Sequence, residues 1–424
     1  MPYAYFNHSD GWNQTSRLAE LHAIVMHGTI RLDAYHERTG DKAIIDGHYY
    51  SEKAPVITAL AWPAFAATVA VQRAMGIDPD GEAGWATSAW VTTALSVGVI
   101  TALGGVAFYA LLEARLGASI AAIAAFGMFL GTLAFPYGAA LFAHAGTIGC
   151  FAIALWGALG PSTPRRHYIA GVAAGCAVAS EYPAVLSCGV LTLYLLWADR
   201  ARAARFVAGT LPAAALILAN NYLTTGSPWH LTYGANPQFP EMTTGNLMGF
   251  HLPDPSLFVP MLVGEYRGLF FWSPYLLMAL PGVVVLARED RGVAVMSVAA
   301  FILIFLQVAA FYNWHGGNAI GLRYLAPALP FLGLIAAYGV KRFPEMGAML
   351  AIISIVLMGM VTAIAIDPPS ESLIPLQAYY LPRIDQGRFI GNLGTLLGLP
   401  LGVSLLVPFV LPALACWRLM KEAE

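Results

Sequence analysis

Residues 41–55 read D-K-A-I-I-D-G-H-Y-Y-S-E-K-A-P, from Asp41 to Pro55. This stretch gathers three acids, two lysines, a histidine and two tyrosines, and it stops where the first long apolar segment begins. Upstream lies a charged head, and downstream lies a chain that is mostly apolar. The boundary between the two organises everything else.

The composition sets the class. A chain that is 58% hydrophobic and 11% charged, with a mean hydropathy of +0.64, falls well short of the charged share of a soluble globule, about a quarter. It reads as an all-α polytopic membrane protein. The net charge of -2 and the lack of a basic block argue against a nucleic-acid partner. The four cysteines, Cys150, Cys176, Cys188 and Cys416, sit in apolar segments without metal-ligand or disulfide spacing and behave as small hydrophobes.

The first 53 residues form a soluble-facing head. Within it, residues 16–27 read as an amphipathic helix lying along a membrane surface. Leu18, Leu21, Ile24 and Val25 share a face, Ser16 is placed to cap the start and Gly28 to end it. No apolar run before Ser16 resembles a signal peptide.

Apolar spans, judged against the roughly 20 residues needed to cross hydrocarbon, fall near 85–112, 117–136, 139–160, 206–224, 268–287, 293–312, 323–340, 346–366 and 394–417. Residues 168–197 carry Glu181 and Pro183 at their middle, which fits two short helices meeting there. The total comes to about eleven crossings. Placing the arginine-rich loops at Arg165, Arg200, Arg288 and Lys341 inside puts the head and the loops 225–267, 313–322 and 367–393 outside. On this reading the units are the head 1–53, an outer-leaflet helix and loop 54–84 interrupted by Pro63, and the helical domain 85–424. An external head without a signal sequence implies a further helix upstream.

The chemistry-bearing residues then share one face. The order of an amphipathic helix, G-H-Y-Y-S-E-K-A-P (residues 47–55), apolar helices, R-G-L-F (267–270), W-H-G-G (314–317) and G-L-R-Y-L (321–325) resembles the bacterial GT-C glycosyltransferases. These are relatives of protein O-mannosyltransferases and lipid A aminoarabinose transferases. The resemblance implies a GT-C-like fold and a membrane-lipid substrate: a polyprenyl-phosphate-linked sugar whose sugar moves to a lipid, glycan or protein acceptor. The site would lie on the periplasmic face of a bacterial inner membrane. No cofactor or metal is implied, and the hexosyl or pentosyl group comes from the donor. Tyr50, Lys53 and Pro55 match a family element that sets a lysine by the donor phosphate. Where many relatives carry Asp-Glu before the amphipathic helix, this chain has Asn13-Gln14, neither of which can act as a base, and Val56 and Leu322 replace an expected glycine and proline.

A leaving phosphate calls for cations that hold it as charge builds, and Lys53, Arg267 and Arg323 are the external candidates. An acceptor hydroxyl calls for a base: Asp41 first, then Asp33 and Asp10. His48, Tyr49, Tyr50, Trp314 and His315 are candidates for sugar contacts, with His144 and Glu181 at helix tips closing the cavity from the membrane side. His36, His48, Asp41 and Asp46 fit no standard metal-site spacing. The competing class is a non-catalytic lipid or glycan transporter or exporter. It would share a phosphate site at Lys53 and need no base.

Overall fold

The computed structural model describes residues 2–9 and 11–421. Asp10 lies outside them, as does the side chain of Cys416. Cys150, Cys176 and Cys188 are free thiols.

The head folds first in chain order. Helix α1 (Trp12–His27) starts after Gly11 and ends at Gly28, whose φ of 67° forms a left-handed cap. It begins a turn earlier than its sequence suggests, and Ser16 therefore does not cap it. The Ser16 hydroxyl instead donates to the Asp41 carbonyl at 2.6 Å and meets Ser51 Oγ at 3.0 Å. Gln14 through Ala23 are all buried, so α1 is packed inside the protein on both faces rather than laid along a surface.

Ser16 thereby fastens α1 to a two-stranded antiparallel hairpin, β1 (Lys42–Ile45) and β2 (His48–Ser51), with Lys42 opposite Ser51 and Ile45 opposite His48. The turn is Asp46-Gly47, both at positive φ (51° and 78°). This is the geometry that a two-residue hairpin loop demands and that Asp-Gly supplies. After the hairpin, α2 (Val56–Ala74) runs unbroken through Pro63.

The rest is helical. Six helices among the described residues are long and apolar enough to cross a membrane: Val56–Ala74, Glu82–Leu116, Arg200–Thr225, Arg291–Ala309, Arg323–Arg342 and Pro344–Ile364. Four more apolar helices are shorter: Ala118–Leu130, Ala143–Leu159, Tyr182–Ala198 and Leu401–Leu414. The sequence suggests about eleven crossings; fewer helices reach spanning length because apolar runs such as 268–287 break into shorter turns and helices at Ser273 and Pro274. The segment around Glu181 does divide in two, as Pro164–Ser180 and Val185–Ala198, with a short 3-10 turn at Pro183 between them.

The core lies along the helix Leu329–Arg342, which buries every residue from Leu329 to Val340. Around it, three helix pairs meet backbone to backbone through paired glycines. A Cβ on Gly104 would stand 2.4 Å from Gly149 Cα, one on Gly171 2.0 Å from Phe206 O, and one on Gly339 1.9 Å from Met278 O. With hydrocarbon outside, apolar burial drives no helix association, so close backbone packing through small residues takes over that task.

Candidate active site

A cavity of about 380 Å³ opens between the head and the helix tips. The start of α1 brings Asn13 and Arg17, and the hairpin brings Asp41, Glu52 and Lys53. The tips of Ala143–Leu159 and Pro164–Ser180 bring His144 and Glu181, while Arg323 enters from within the G-L-R-Y-L stretch itself. Tyr233, Phe239, Met242, Met248 and Phe250, from the loop after Thr225, make an apolar wall facing Phe311 and Tyr312.

Lys53 sits at the centre of the polar half. Its Nζ donates to Glu52 Oε1 at 2.7 Å and lies 2.7 Å from Asp41 Oδ2. The ammonium is buried, which alone would weaken its charge, but Asp41 and then Glu52 outweigh burial and hold it protonated above the usual lysine range. Burial pushes the Glu52 carboxyl up, with Lys53 pulling the other way. The second Glu52 oxygen accepts from Asn236 Nδ2 at 2.5 Å, and Asn236 also reaches the Gly40 carbonyl at 3.4 Å. One carboxylate therefore ties the lysine to the loop that roofs the cavity.

Two buried arginines complete the set. Arg17 donates through Nη1 to the Asn13 carbonyl at 3.1 Å and to Asn13 Oδ1. Burial lowers its guanidinium pKa, against the nearby fields of Tyr233, Glu181 and Asp41. Arg323 donates to the Tyr324 hydroxyl at 3.5 Å and lies across the faces of Tyr324 and Phe142. In both arginines the buried Nε–H has no protein partner. An unmatched buried donor costs on the order of 1–3 kcal/mol. Two of them on one cavity wall suit an anion.

Of the sequence candidates, the structure brings Asp41, Lys53, His144, Glu181 and Arg323 together at the cavity. It adds Arg17 and Glu52, with Asn236 bonded behind Glu52. Arg267 is fully buried beyond the cavity lining, where it donates to the carbonyls of His315 (3.2 Å), Tyr266 (3.0 Å) and Gly317 (3.0 Å) and so clamps the W-H-G-G turn. Trp314 packs edge-on to Tyr266, and His315 Nδ1 accepts from the Gly317 amide. Asp33 is exposed, paired with His48 at 2.7 Å and accepting from the Tyr49 amide at 2.9 Å. Tyr49 stacks on His36, and Tyr50 is buried where its strand bridges Arg31. None of these lines the cavity. Among the described residues no three His, Cys, Asp or Glu side chains converge as a metal site.

No protein-family model and no curated protein matches the chain. Solved structures do. ArnT from Cupriavidus metallidurans bound to undecaprenyl phosphate aligns at 15% identity and a TM-score of 0.51 over 83% of this chain. The apo structure of the same protein aligns at 16% identity and a TM-score of 0.50 over 85%. This chain spans 60% and 61% of those chains. The fold is thus the GT-C-like helical fold that ArnT also has.

Proposed function

We propose that the protein is a membrane glycosyltransferase that moves a sugar from a polyprenyl phosphate to an acceptor at the external face of a bacterial inner membrane. The observation that carries this is the convergence of Arg17, Lys53 and Arg323 on one cavity, two of them with unpartnered Nε–H groups, in a fold shared with a protein solved with undecaprenyl phosphate. The phosphate is the leaving group, so its charge grows as the sugar departs. Fixed donors aimed at it act more strongly in the transition state than on the bound donor. Lys53 supplies a point charge, and the arginines offer paired N–H groups.

Asp41 and Glu52 hold Lys53 in place and charged. When the phosphate arrives, the lysine keeps two anionic neighbours and gains a third. The apolar wall from Tyr233 to Phe250 is suited to exclude water from the reacting sugar. The donor is a hexosyl or pentosyl polyprenyl phosphate, and no metal enters the scheme.

The test is donor turnover by the purified chain in nanodiscs, with a panel of polyprenyl-phosphate sugars, an envelope lipid extract as acceptor, and released polyprenyl phosphate as the readout. Lys53→Ala and Arg323→Ala each lower kcat by about 10²-fold or more, the scale of a lost transition-state donor. Donor that is bound but never consumed by the unaltered chain refutes the proposal and favours a lipid carrier.

A further inference from the structure

The cavity holds three carboxylates, and they are not equivalent. Asp41 and Glu52 are both committed to Lys53. Glu181 has no lysine or arginine within ion-pair distance among the described residues; its Oε1 is in contact with His144 Nδ1. Its Oε2 is buried with no hydrogen-bond partner, although the residue lines the cavity. This position follows from the chain. The helix Pro164–Ser180 stops at Glu181 with extended backbone (φ -148°, ψ 111°), and the next helix is offset by the Tyr182–Ala184 turn. The break lifts the carboxylate off the helix face and into the cavity.

His144 is held against it. It sits in the first turn of Ala143–Leu159, and its ring packs edge-on to Tyr137 with centroids 5.0 Å apart. Tyr137 is itself pinned through its hydroxyl to the Ile320 carbonyl at 3.1 Å. The imidazole therefore has little freedom, and Nε2 has no partner.

We infer that Glu181, held in place by His144, is the base that accepts the acceptor's hydroxyl proton, and that Asp41 serves the donor side. This assignment rests on the glycosyl-transfer function above. Asp41 Oδ2 is occupied by the Lys53 ammonium at 2.7 Å and is already engaged on the donor side. Glu181 carries no such tie. As the acceptor oxygen bonds to the anomeric carbon, its proton passes to Glu181 Oε2. The bond from that carbon to the phosphate oxygen breaks, and its electron pair leaves with the polyprenyl phosphate. Glu181 then returns the proton to solvent. Glu181 is the catalytic residue, and His144 is a positioning residue acting through it.

The experiment compares two nucleophiles on the purified full chain: the hydroxyl acceptors of the envelope lipid extract, and azide, which has no proton to lose. Glu181→Gln is expected to lower kcat with hydroxyl acceptors about 10²–10⁴-fold, the range of a lost general base, with the donor KM unchanged. Azide-dependent release of polyprenyl phosphate, giving a glycosyl azide, persists in that variant. Asp41→Asn loses both reactions, because its effect is on the donor. His144→Ala lowers kcat with hydroxyl acceptors, and His144→Asn restores it in part by supplying an amide at the Nδ1 position.

Hydroxyl transfer by Glu181→Gln at the unaltered rate overturns the assignment, as does loss of the azide reaction together with the hydroxyl one in a variant that still binds donor. If Glu181→Gln does not fold, Glu181→Asp replaces it, and equal loss with both nucleophiles overturns the assignment. An unaltered chain that consumes no donor instead removes the glycosyl-transfer function on which the assignment stands.

Discussion

Glu20 offers a direct test of how the head is held. Its side chain, on α1, is buried and accepts from the Thr58 hydroxyl on α2 at 2.8 Å. Burial raises its pKa from 4.5 to about 7, with the Thr58 bond and Arg17 pulling it back only in part. The folded state therefore binds a proton between pH 4.5 and 7 that the unfolded chain has released. Stability from this group is complete below pH 4.5, falls as pH rises to about 7, and is flat above. A displacement from 4.5 to about 7, at 1.36 kcal/mol per pH unit, is worth about 3 kcal/mol. At about 2.1 cal/mol/K per residue over 424 residues, that is a Tm change of about 4 °C. Glu20→Gln keeps the shape and cannot ionise. Thermal unfolding in detergent, from pH 4.5 to 8, is expected to show the two proteins converging at low pH and the variant ahead by that margin at pH 8. Subtracting the curves isolates Glu20 from every other titrating group. Parallel curves over this range, with the same offset at pH 4.5 and pH 8, refute the reasoning.

Lys53→Met leaves Asp41 and Glu52 buried without their cation, a loss of about 3–5 kcal/mol. Adding Asp41→Asn and Glu52→Gln to it recovers most of that in denaturant unfolding, and no recovery would mean that the loss is not electrostatic. Asn236→Ala removes the bonds to Glu52 and Gly40, worth about 1–3 kcal/mol locally. Limited proteolysis should then cut within residues 226–257 first, with the helical body intact. Gly339→Val places a side chain where even a Cβ would stand 1.9 Å from Met278 O. A backbone shift of that kind costs at least about 1–3 kcal/mol, and the yield of monodisperse protein should collapse.

The helical body is legible in the sequence because bilayer-length apolar runs have few alternative meanings. The break at Glu181 is legible for a related reason: a carboxylate beside a proline is poorly accommodated inside one helix. The hairpin carried its own signal in Asp46-Gly47 between apolar and aromatic residues. That signal is easily passed over in a chain whose other elements are all helices. Arg17 is the harder case. On a helical wheel it falls on the apolar face with Leu21 and Ile24, at i, i+4 and i+7, and reads as an arginine whose head reaches past that face to solvent; only the hairpin, the loop after Thr225 and two helix tips closing over it bury it. Glu52 is similar, since a glutamate next to a lysine in sequence looks like a surface neighbour. Arg267 and Arg323 show the limit from the other side. Both precede helices in similar G- and L-rich contexts, yet one is used up on two carbonyls of the W-H-G-G turn and that of Tyr266, and the other keeps a free Nε–H. Which is which depends on the path of a turn about 50 residues away.

The two oxygens of Glu52 face different partners, Lys53 Nζ and Asn236 Nδ2. A carboxylate is rigid and planar, so its oxygens cannot move independently. Any ligand that draws Lys53 aside must rotate Glu52 or break one of its bonds, and either change reaches Asn236. The roof of the cavity is thus wired to the charge on its floor. A displacement of the Lys53 ammonium therefore cannot leave the Asn236 bond where it was: floor and roof move together through one side chain.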